Sequence, residues 1–200
     1  MTTGALQRVV RRAASPPAGD AERCDLCGLG VPEAHRHVVD LQQADLLCAC
    51  RACALLFTRE AAGRGHYRLV PETRSRLSGL SPKELGVPVG LVFLVRHADG
   101  TVTANYPSPM GATRHDIDPA LWTALQQRCP ELADMAAEVQ AVLLHTARGA
   151  EEHWLVPIDD CYRLVALIRQ EWRGLSGGGT VWPAIREFFA RLAQPRRGTY

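Results

Sequence analysis

Four cysteines near the amino terminus are spaced so that together they can bind one metal ion. Cys24 and Cys27 form one C-x2-C pair, and Cys50 and Cys53 form a second. Such a pair directs two thiolates to one point, and two pairs complete a tetrahedral four-sulfur site. Gly28 follows the first pair, where a positive φ lets backbone amides turn towards the sulfurs. The spacing therefore predicts a metal site formed by these four cysteines.

The type of ligand also restricts which metal is expected. Four thiolates around a tetrahedral centre are typical of structural zinc, but they also suit an iron ion bound as in rubredoxin. The second pair is followed by Ala54 and not by a glycine, which disfavours the electron-transfer version of the site. We therefore expect zinc and keep iron as the alternative.

Three more residues in the same stretch carry side chains that bind metals: Cys48, His35 and His37. Residues two apart in a strand share a face, so Cys48 is expected on the same side as Cys50, and the two histidines share this relation if their segment is extended. One of the three could replace a cysteine in the ligand set or serve as a spare ligand for exchange. Alternatively, Cys48 is a small buried thiol and the histidines lie outside the site.

A short antiparallel hairpin is predicted to bring the two cysteine pairs together. Residues 38–41 are rich in β-branched and apolar side chains and predict a strand, residues 42–45 its turn, and residues 46–50 the returning strand. Residues 66–70 predict a further strand, closed by Pro71. We interpret residues 22–75 as a zinc-ribbon-like metal module.

The remainder of the chain predicts a second domain. Residues 1–21 have the composition of a flexible segment and residues 76–88 that of a linker. Within residues 89–195, Asp99-Gly100 separates two strand-like runs, and prolines 107 and 109 are expected to end the second run. Strands at 140–147 and 154–158 and helices at 118–127, 131–137, 159–173 and 180–192 follow. The predicted fold class is α+β, with a small amino-terminal zinc ribbon followed by an antiparallel sheet domain that has helices on one face.

Composition excludes several classes of protein. The 200-residue chain has a formal net charge of +2 and 46% hydrophobic residues, which argues against nucleic-acid binding through bulk charge. No apolar run has the length of a membrane-spanning helix, and the arginines near the amino terminus precede no apolar signal segment, so membrane insertion and secretion are not expected. Clustered metal-type cysteines then indicate a reducing compartment, and we expect the protein in the cytoplasm.

The sequence carries no pattern typical of a catalytic site. Cys161 follows Asp159 and Asp160 at a strand-to-helix junction, but two adjacent carboxylates raise the pKa of a thiol, and no base is nearby in sequence. We expect a carboxylate to cap the helix and Cys161 to be buried. The glycine-rich loop at 174–179, beside Arg173, could hold an anion but lacks the lysine of a phosphate-binding loop. We predict no catalytic residues.

Several stretches resemble an uncharacterised bacterial family of unknown function whose genes often lie beside those of nickel-iron uptake hydrogenases. The resemblance is carried by residues 22–28, 33–37, 46–53, 65–71, 106–113, 156–162 and 172–178 and extends from about residue 22 to residue 192. The family has no assigned catalytic residues, so the resemblance implies an accessory role by gene neighbourhood alone.

Together, these patterns and the resemblance suggest a non-enzymatic accessory protein that assists maturation or assembly of a nickel-iron hydrogenase. Its expected partner is a hydrogenase subunit or another maturation protein, with the zinc ribbon as a docking module. The alternative is a rubredoxin-like iron redox protein, or a metal- or cluster-delivery protein, that uses the same cysteines. The residues expected to meet a partner are Tyr106, Met110, Asp159, Asp160, Tyr162 and Arg173.

Overall fold

A computed structural model describes residues 22–59, 65–78, 80, 90–174 and 177–194 of the chain. Contacts within the chain divide it between Glu72 and Thr73 into two units, close to the predicted end of the metal module at residue 75. We call residues 22–72 the cysteine unit and residues 73–194 the sheet unit. The predicted flexible segment at 1–21 and most of the predicted linker, residues 81–88, lie outside the described residues.

The cysteine unit is built on three antiparallel strands in the order β2–β1–β3. These are β1 (Arg36–Asp40), β2 (Asp45–Ala49) and β3 (Tyr67–Leu69), and a short helix, α1 (Arg51–Leu55), follows β2. The turn between β1 and β2 is held by Asp40, whose Oδ1 accepts hydrogen bonds from the amides of Gln42 and Gln43 at 2.9 and 3.1 Å. The predicted hairpin is therefore present.

The cysteine unit has a small apolar core. One cluster consists of the buried residues Val38, Ala49 and Ala54, against which Phe57, Tyr67 and Leu69 pack. Val39, Leu46 and Val70 are buried as well. The rings of Phe57 and Tyr67 lie 5.5 Å apart and complete the cluster. A core of this size leaves a unit of about fifty residues marginally stable without another source of stability.

The sheet unit contains six antiparallel strands in the order β4–β9–β8–β5–β6–β7. The strands are β4 (Ser75–Arg76), β5 (Leu91–Arg96), β6 (Val102–Ser108), β7 (Gly111–Asp116), β8 (Gln140–His145) and β9 (Glu152–Pro157). The helices are α2 (Pro119–Arg128), α3 (Ile158–Glu171) and α4 (Val181–Leu192). The predicted α+β class with antiparallel sheets is confirmed. No helix within the described ranges is both long and apolar enough to span a membrane.

Successive side chains of the central strands point to opposite faces of the sheet, and both faces are apolar. Leu94 and Leu144 pack in one cluster with Trp122 of α2. His145 follows Leu144 in β8 and so points to the opposite face, where its ring stacks on Phe189 of α4 at 4.8 Å. Helix α3 packs against α4. Helix α2 thus covers one face of the sheet, and α4 lies on the other, so the prediction that the helices lie on one face is wrong.

The predicted end of β6 at residues 106–107 is wrong. The strand continues to Ser108 and turns back into β7, with Pro107 opposite Ala112 and Ser108 opposite Gly111. Proline is tolerated because β5 pairs with β6 no further along than Asn105, so one side of the strand at Pro107 has no neighbouring strand. The sequence analysis therefore missed β7, the edge strand of the sheet, although it had predicted β6, the strand with which β7 pairs.

The predicted helix at 131–137 is also wrong, because only Pro130–Leu132 forms a single 3-10 turn. Leu132 and Met135 are both fully buried in the cluster beneath α2. Packing of these two side chains into the core, and not helical periodicity, determines the path of this segment.

Asp159 and Asp160 do not cap α3 as predicted. Pro157 occupies the N-cap position, and both aspartates lie in the first turn with 2% and 1% of their surface exposed. The carboxylate of Asp160 accepts two hydrogen bonds from Arg74, each 2.7 Å long. Arg163 lies 3.5 Å from Asp159 and 3.4 Å from Asp160. The first turn of α3 is therefore a buried ionic network.

A chain of polar contacts runs from the end of β5 into β6 and β7. His97 Nδ1 lies 3.1 Å from Glu138 Oε2, and His97 Nε2 lies 3.0 Å from Thr103 Oγ1. Asn105 Nδ2 donates to Thr103 Oγ1 at 3.3 Å, and Arg114 Nε donates to Asn105 Oδ1 at 3.4 Å. Thr103 and Asn105 are buried, so the chain satisfies polar groups inside the sheet unit.

Replacing Glu138 with glutamine is expected to lower the pKa of His97. The hydrogen bond to Glu138 raises the pKa of His97 above its ordinary value of 6.5, although burial acts in the opposite direction. The pair therefore stabilises the fold fully below about pH 6.5, and the contribution is lost as the pH rises through the raised folded-state value. NMR titration of the His97 ring measures the change, with the exposed His66 ring as an internal control. An unchanged pKa in Glu138→Gln contradicts this assignment.

Candidate metal centre

The first cysteine pair lies on a tight turn before β1. Gly28 has a φ of +75°, and its amide donates to the carbonyl of Cys24 at 2.8 Å. The amide of Cys24 donates to the carbonyl of Leu29, also at 2.8 Å, which closes the turn around the two thiols. A residue with a β-carbon is strained at such a φ, so the predicted need for glycine after the first pair is confirmed.

The second cysteine pair lies at the start of a helix. The sequence analysis had instead placed Cys50 at the end of the returning strand. Strand β2 ends at Ala49, and Cys50 is the N-cap of α1. Its Sγ accepts a hydrogen bond from the amide of Cys53 at 3.5 Å, which uses one of the unpaired amides of the first helical turn. The helical turn thus places the sulfur of Cys53 on the same side as that of Cys50.

Asp25 joins the first turn to the edge of the sheet. The amide of Asp25 donates to the carbonyl of Cys48 at 2.8 Å, and the amide of Cys48 donates back to Asp25 Oδ2 at 2.7 Å. These bonds fix the turn that carries the first pair beside the end of β2, from which the second pair follows. The hairpin and this edge contact together bring cysteines from distant positions to one place.

The four thiols form a cluster that can bind a metal ion. Their sulfur atoms all lie within 4.8 Å of one another, and those of Cys27 and Cys50 are 3.7 Å apart. A tetrahedral site with metal–sulfur bonds of about 2.3 Å requires sulfur–sulfur distances of about 3.8 Å. Cys24 and Cys50 are buried, with Val31 packed against them, whereas Cys27 is exposed. The arrangement therefore fits a single four-coordinate ion that is reached from one side.

The electrostatics of the cluster favour a bound cation. Burial raises the pKa of Cys24, but hydrogen bonds from the amides of Cys50, Leu26 and Cys27 outweigh it and lower the pKa to about 6. Hydrogen bonding with the thiols of Cys27 and Cys50, together with burial, raises the pKa of Cys53 to about 12. The pKa of Cys24 is thus lowered and that of Cys53 raised, and the positive charge of a bound metal would favour the thiolate form of both.

The other predicted ligands form a group of their own. The ligand atoms of His35, His37 and Cys48 lie within 4.8 Å of one another, separate from the group of four thiols. Cys48 is opposite His37 in the β1–β2 ladder, and the rings of His35 and His37 are 4.6 Å apart. The structure thus brings the three together, a grouping that the sequence analysis did not consider.

The predicted partner-contacting residues differ in their exposure. Met110 is 93% exposed at the β6–β7 turn, and Arg173 is exposed after α3. Tyr106 is half-buried, with its ring 5.7 Å from that of His115, and Tyr162 is also half-buried. The carboxylates of Asp159 and Asp160 are enclosed with Arg74 and Arg163 and are not presented at the surface.

Cys161 is buried, as predicted, and is unsuited to attack a substrate. None of its surface is exposed, and burial, followed by the charges of Asp160 and Asp159, raises its pKa well above the usual value. A nucleophilic cysteine needs the opposite conditions, namely access and a lowered pKa. The thiol therefore acts as a small core side chain beside the ionic network.

Four exposed leucines near the cysteines were missed by the sequence analysis. Leu26 and Leu29 are 37% and 60% exposed, and Leu55 and Leu56 are 62% and 63% exposed. Of the large apolar side chains that are exposed in the described residues, only Met110 lies in the sheet unit. Each leucine is within three residues of a cysteine of the cluster, and this adjacency is the signal that could have identified them.

Comparison with protein-family models identifies the family to which the chain is similar. A family model described as a family of unknown function, DUF5947, matches residues 23–196, which is most of the chain. No curated protein matches the chain, and no solved structure matches it either.

Proposed function

The chain belongs to DUF5947, a family of unknown function, and we propose that it is a non-enzymatic accessory protein that docks on another protein through a zinc ribbon. The ribbon consists of the cysteine unit with zinc held by Cys24, Cys27, Cys50 and Cys53. In this role the ion is structural, and the surface around it makes the contacts with the partner.

Zinc is the metal that the donor set favours. Four thiolates from two C-x2-C pairs are one of the typical ligand sets of closed structural zinc sites, which bind no substrate. The small apolar core of the cysteine unit supports the same assignment, because a unit of this size needs a further source of stability. Zinc bound by four sulfurs would link the turn at Cys24 to the helix that begins after Cys50.

The exposed leucines are the observation that carries the docking role. Leu26, Leu29, Leu55 and Leu56 all flank the cysteine pairs, and each exposes more than a third of its surface. Exposed apolar patches are typical of surfaces that bind another protein, and in this unit exposed leucines flank both cysteine pairs. Fully burying one leucine side chain contributes about 1.5–3 kcal/mol, so burying all four would offset a substantial part of the cost of association.

We propose a nickel-iron hydrogenase subunit, or another protein of its maturation, as the partner. This part of the proposal rests on the resemblance to a family whose genes often lie beside hydrogenase genes. The protein would act in maturation or assembly, and the exposed Met110 and Arg173 of the sheet unit offer further contact points.

Replacing Leu55 and Leu56 together with arginine is expected to weaken capture of the partner at least about tenfold. The reason is that two apolar side chains would lose their burial, and each 1.4 kcal/mol corresponds to a factor of ten. The measurement is co-purification of hydrogenase subunits with the tagged chain from cells that make the enzyme. Metal content should stay unchanged, since neither leucine is a ligand.

A matched control is Ala190→Arg combined with Ala193→Arg, which adds the same two charges at exposed positions at the end of α4 in the sheet unit. This variant should capture the partner like the unchanged chain. If no hydrogenase subunit co-purifies, and a strain lacking the protein keeps full hydrogenase activity, the proposed partner is wrong.

An absorption spectrum separates zinc from the iron alternative. Zinc has a filled d shell, so the zinc-loaded protein is colourless, whereas iron bound by four thiolates absorbs visible light. Elemental analysis of the same purified sample identifies the ion. A coloured protein containing one iron per chain would favour the redox or metal-delivery alternative over the docking role.

A further inference from the structure

We propose that His35, His37 and Cys48 form a second metal site, distinct from the four-thiol cluster, that binds a divalent transition-metal ion of the zinc class. Two imidazoles and one thiolate supply three ligands, and such sites leave a fourth position open for water or an exchanging ligand. The three ligand atoms lie within 4.8 Å of one another.

His35 provides the most direct evidence, because one of its ring nitrogens is buried without a partner. The side chain is 5% exposed, and Nε2 has no hydrogen-bond partner. Nδ1 lies 2.9 Å from the carbonyl of Pro32, to which it donates, and 3.6 Å from the carboxylate of Glu22. With its proton on Nδ1, the ring offers the lone pair of Nε2 to the site. A metal-binding histidine is usually oriented by such a contact from its other nitrogen to a carbonyl or a carboxylate.

The register of the hairpin places the second and third ligands side by side. His37 and Cys48 are direct partners in the β1–β2 ladder. The amide and carbonyl of Cys48 bond to Asp25, on the side of β2 away from β1, so the pair with His37 is of the non-hydrogen-bonded type. Side chains are closest in pairs of this type, with α-carbons about 4.5 Å apart. The backbone thus holds the imidazole of His37 beside the thiol of Cys48.

The distances between the three ligand atoms are compatible with a bound first-row transition-metal ion. Bonds of about 2.0–2.1 Å to nitrogen and about 2.3 Å to sulfur imply ligand–ligand separations of about 3.3–3.6 Å in a tetrahedral site. Separations of at most 4.8 Å can close to this range by small rotations of the side chains. Imidazole and thiolate together favour zinc and its neighbours over magnesium or calcium, which prefer oxygen ligands.

The test uses the full chain, freed of metal and then titrated with cobalt(II) and, in parallel, with zinc. The unchanged chain should bind two ions, the first at the four-thiol cluster and the second with the weaker sulfur absorption of a single thiolate. His35→Ala and His37→Ala should each bind one ion. His66→Ala, at an exposed histidine of the same unit, should bind two.

Alkylation of Cys48 in the unchanged chain provides a readout that does not depend on the folding of any variant. Iodoacetamide should modify Cys48 readily at one equivalent of zinc and at least about tenfold more slowly at two, as mapped by mass spectrometry. Equal rates at one and two equivalents overturn the second site. A total of one ion in the unchanged chain, or of two ions in both histidine variants, also overturns it.

Discussion

Cys50→Ser is expected to abolish metal binding at the four-thiol cluster and to unfold the cysteine unit, while the sheet unit keeps its own unfolding transition. Cys50 is 6% exposed, its sulfur is 3.7 Å from that of Cys27, and it also caps α1. Its loss removes a ligand and a helix cap in one step. Structural zinc contributes an apparent 10–16 kcal/mol to the folding of isolated zinc-finger peptides, which is more than a small apolar core supplies.

Hydrogen exchange followed by mass spectrometry measures this outcome for each unit separately, and elemental analysis gives the metal content. In Cys50→Ser the amides of residues 36–49 should exchange at unfolded rates, whereas those of β5 and β8 stay protected. Cys129→Ser is the matched control, because this cysteine is also buried but lies in the sheet unit, where its thiol donates a hydrogen bond to Glu131 at 3.3 Å. If Cys50→Ser keeps both the bound ion and the slow amide exchange of residues 36–49, the metal does not have the proposed structural role.

Arg74→Met is expected to destabilise the sheet unit by about 3–5 kcal/mol, because it leaves a carboxylate buried without its main counter-charge. Asp160 is 1% exposed and Arg74 14% exposed, and two hydrogen bonds of 2.7 Å join them. Arg163 is nearly half exposed and 3.4 Å away, so it compensates for little of the loss. The free energy of unfolding in urea measures the effect.

Two further variants separate the cost of an unpaired charge from the value of the pair. Arg74→Met combined with Asp160→Leu should recover much of the lost stability, since replacing both charges with apolar groups removes the desolvation penalty. Arg191→Gln breaks an exposed pair with Glu187, where both side chains are more than half exposed, and should cost less than about 1 kcal/mol. If Arg74→Met costs no more than Arg191→Gln, the buried pair does not stabilise the protein.

Features that depend on neighbours in the chain were predicted well. Gly28 adopts the positive φ that the first cysteine pair requires, and α2 begins at Pro119, beside the predicted start at residue 118. On the helix predicted at 180–192, the side chains of Ile185, Phe188, Phe189 and Leu192 are all buried at helical spacing. These outcomes follow from backbone preferences and periodicity, which a few consecutive residues determine.

Features that depend on distant partners were missed or misassigned. The role of Asp160 is set by Arg74, which is 86 residues earlier in the chain, and a carboxylate at a helix start is more commonly a cap. Strand β6 continues past Pro107 because β5 pairs with it only as far as Asn105, so the proline interrupts no hydrogen bond on that side. Both predictions were wrong because they applied a local sequence rule at positions where a long-range contact determines the structure.

The sequence by itself determined that four thiols in two C-x2-C pairs belong to one cluster, since the chemistry of a pair depends only on its spacing. Whether His35, His37 and Cys48 join that cluster depended on the tertiary structure. Strand register sets Cys48 opposite His37, and the start of α1 at Arg51 turns Cys50 away from the strand into a helix cap. Spacing restricts which side chains can meet, but only the pairing of strands and the packing of the chain decide which of them do.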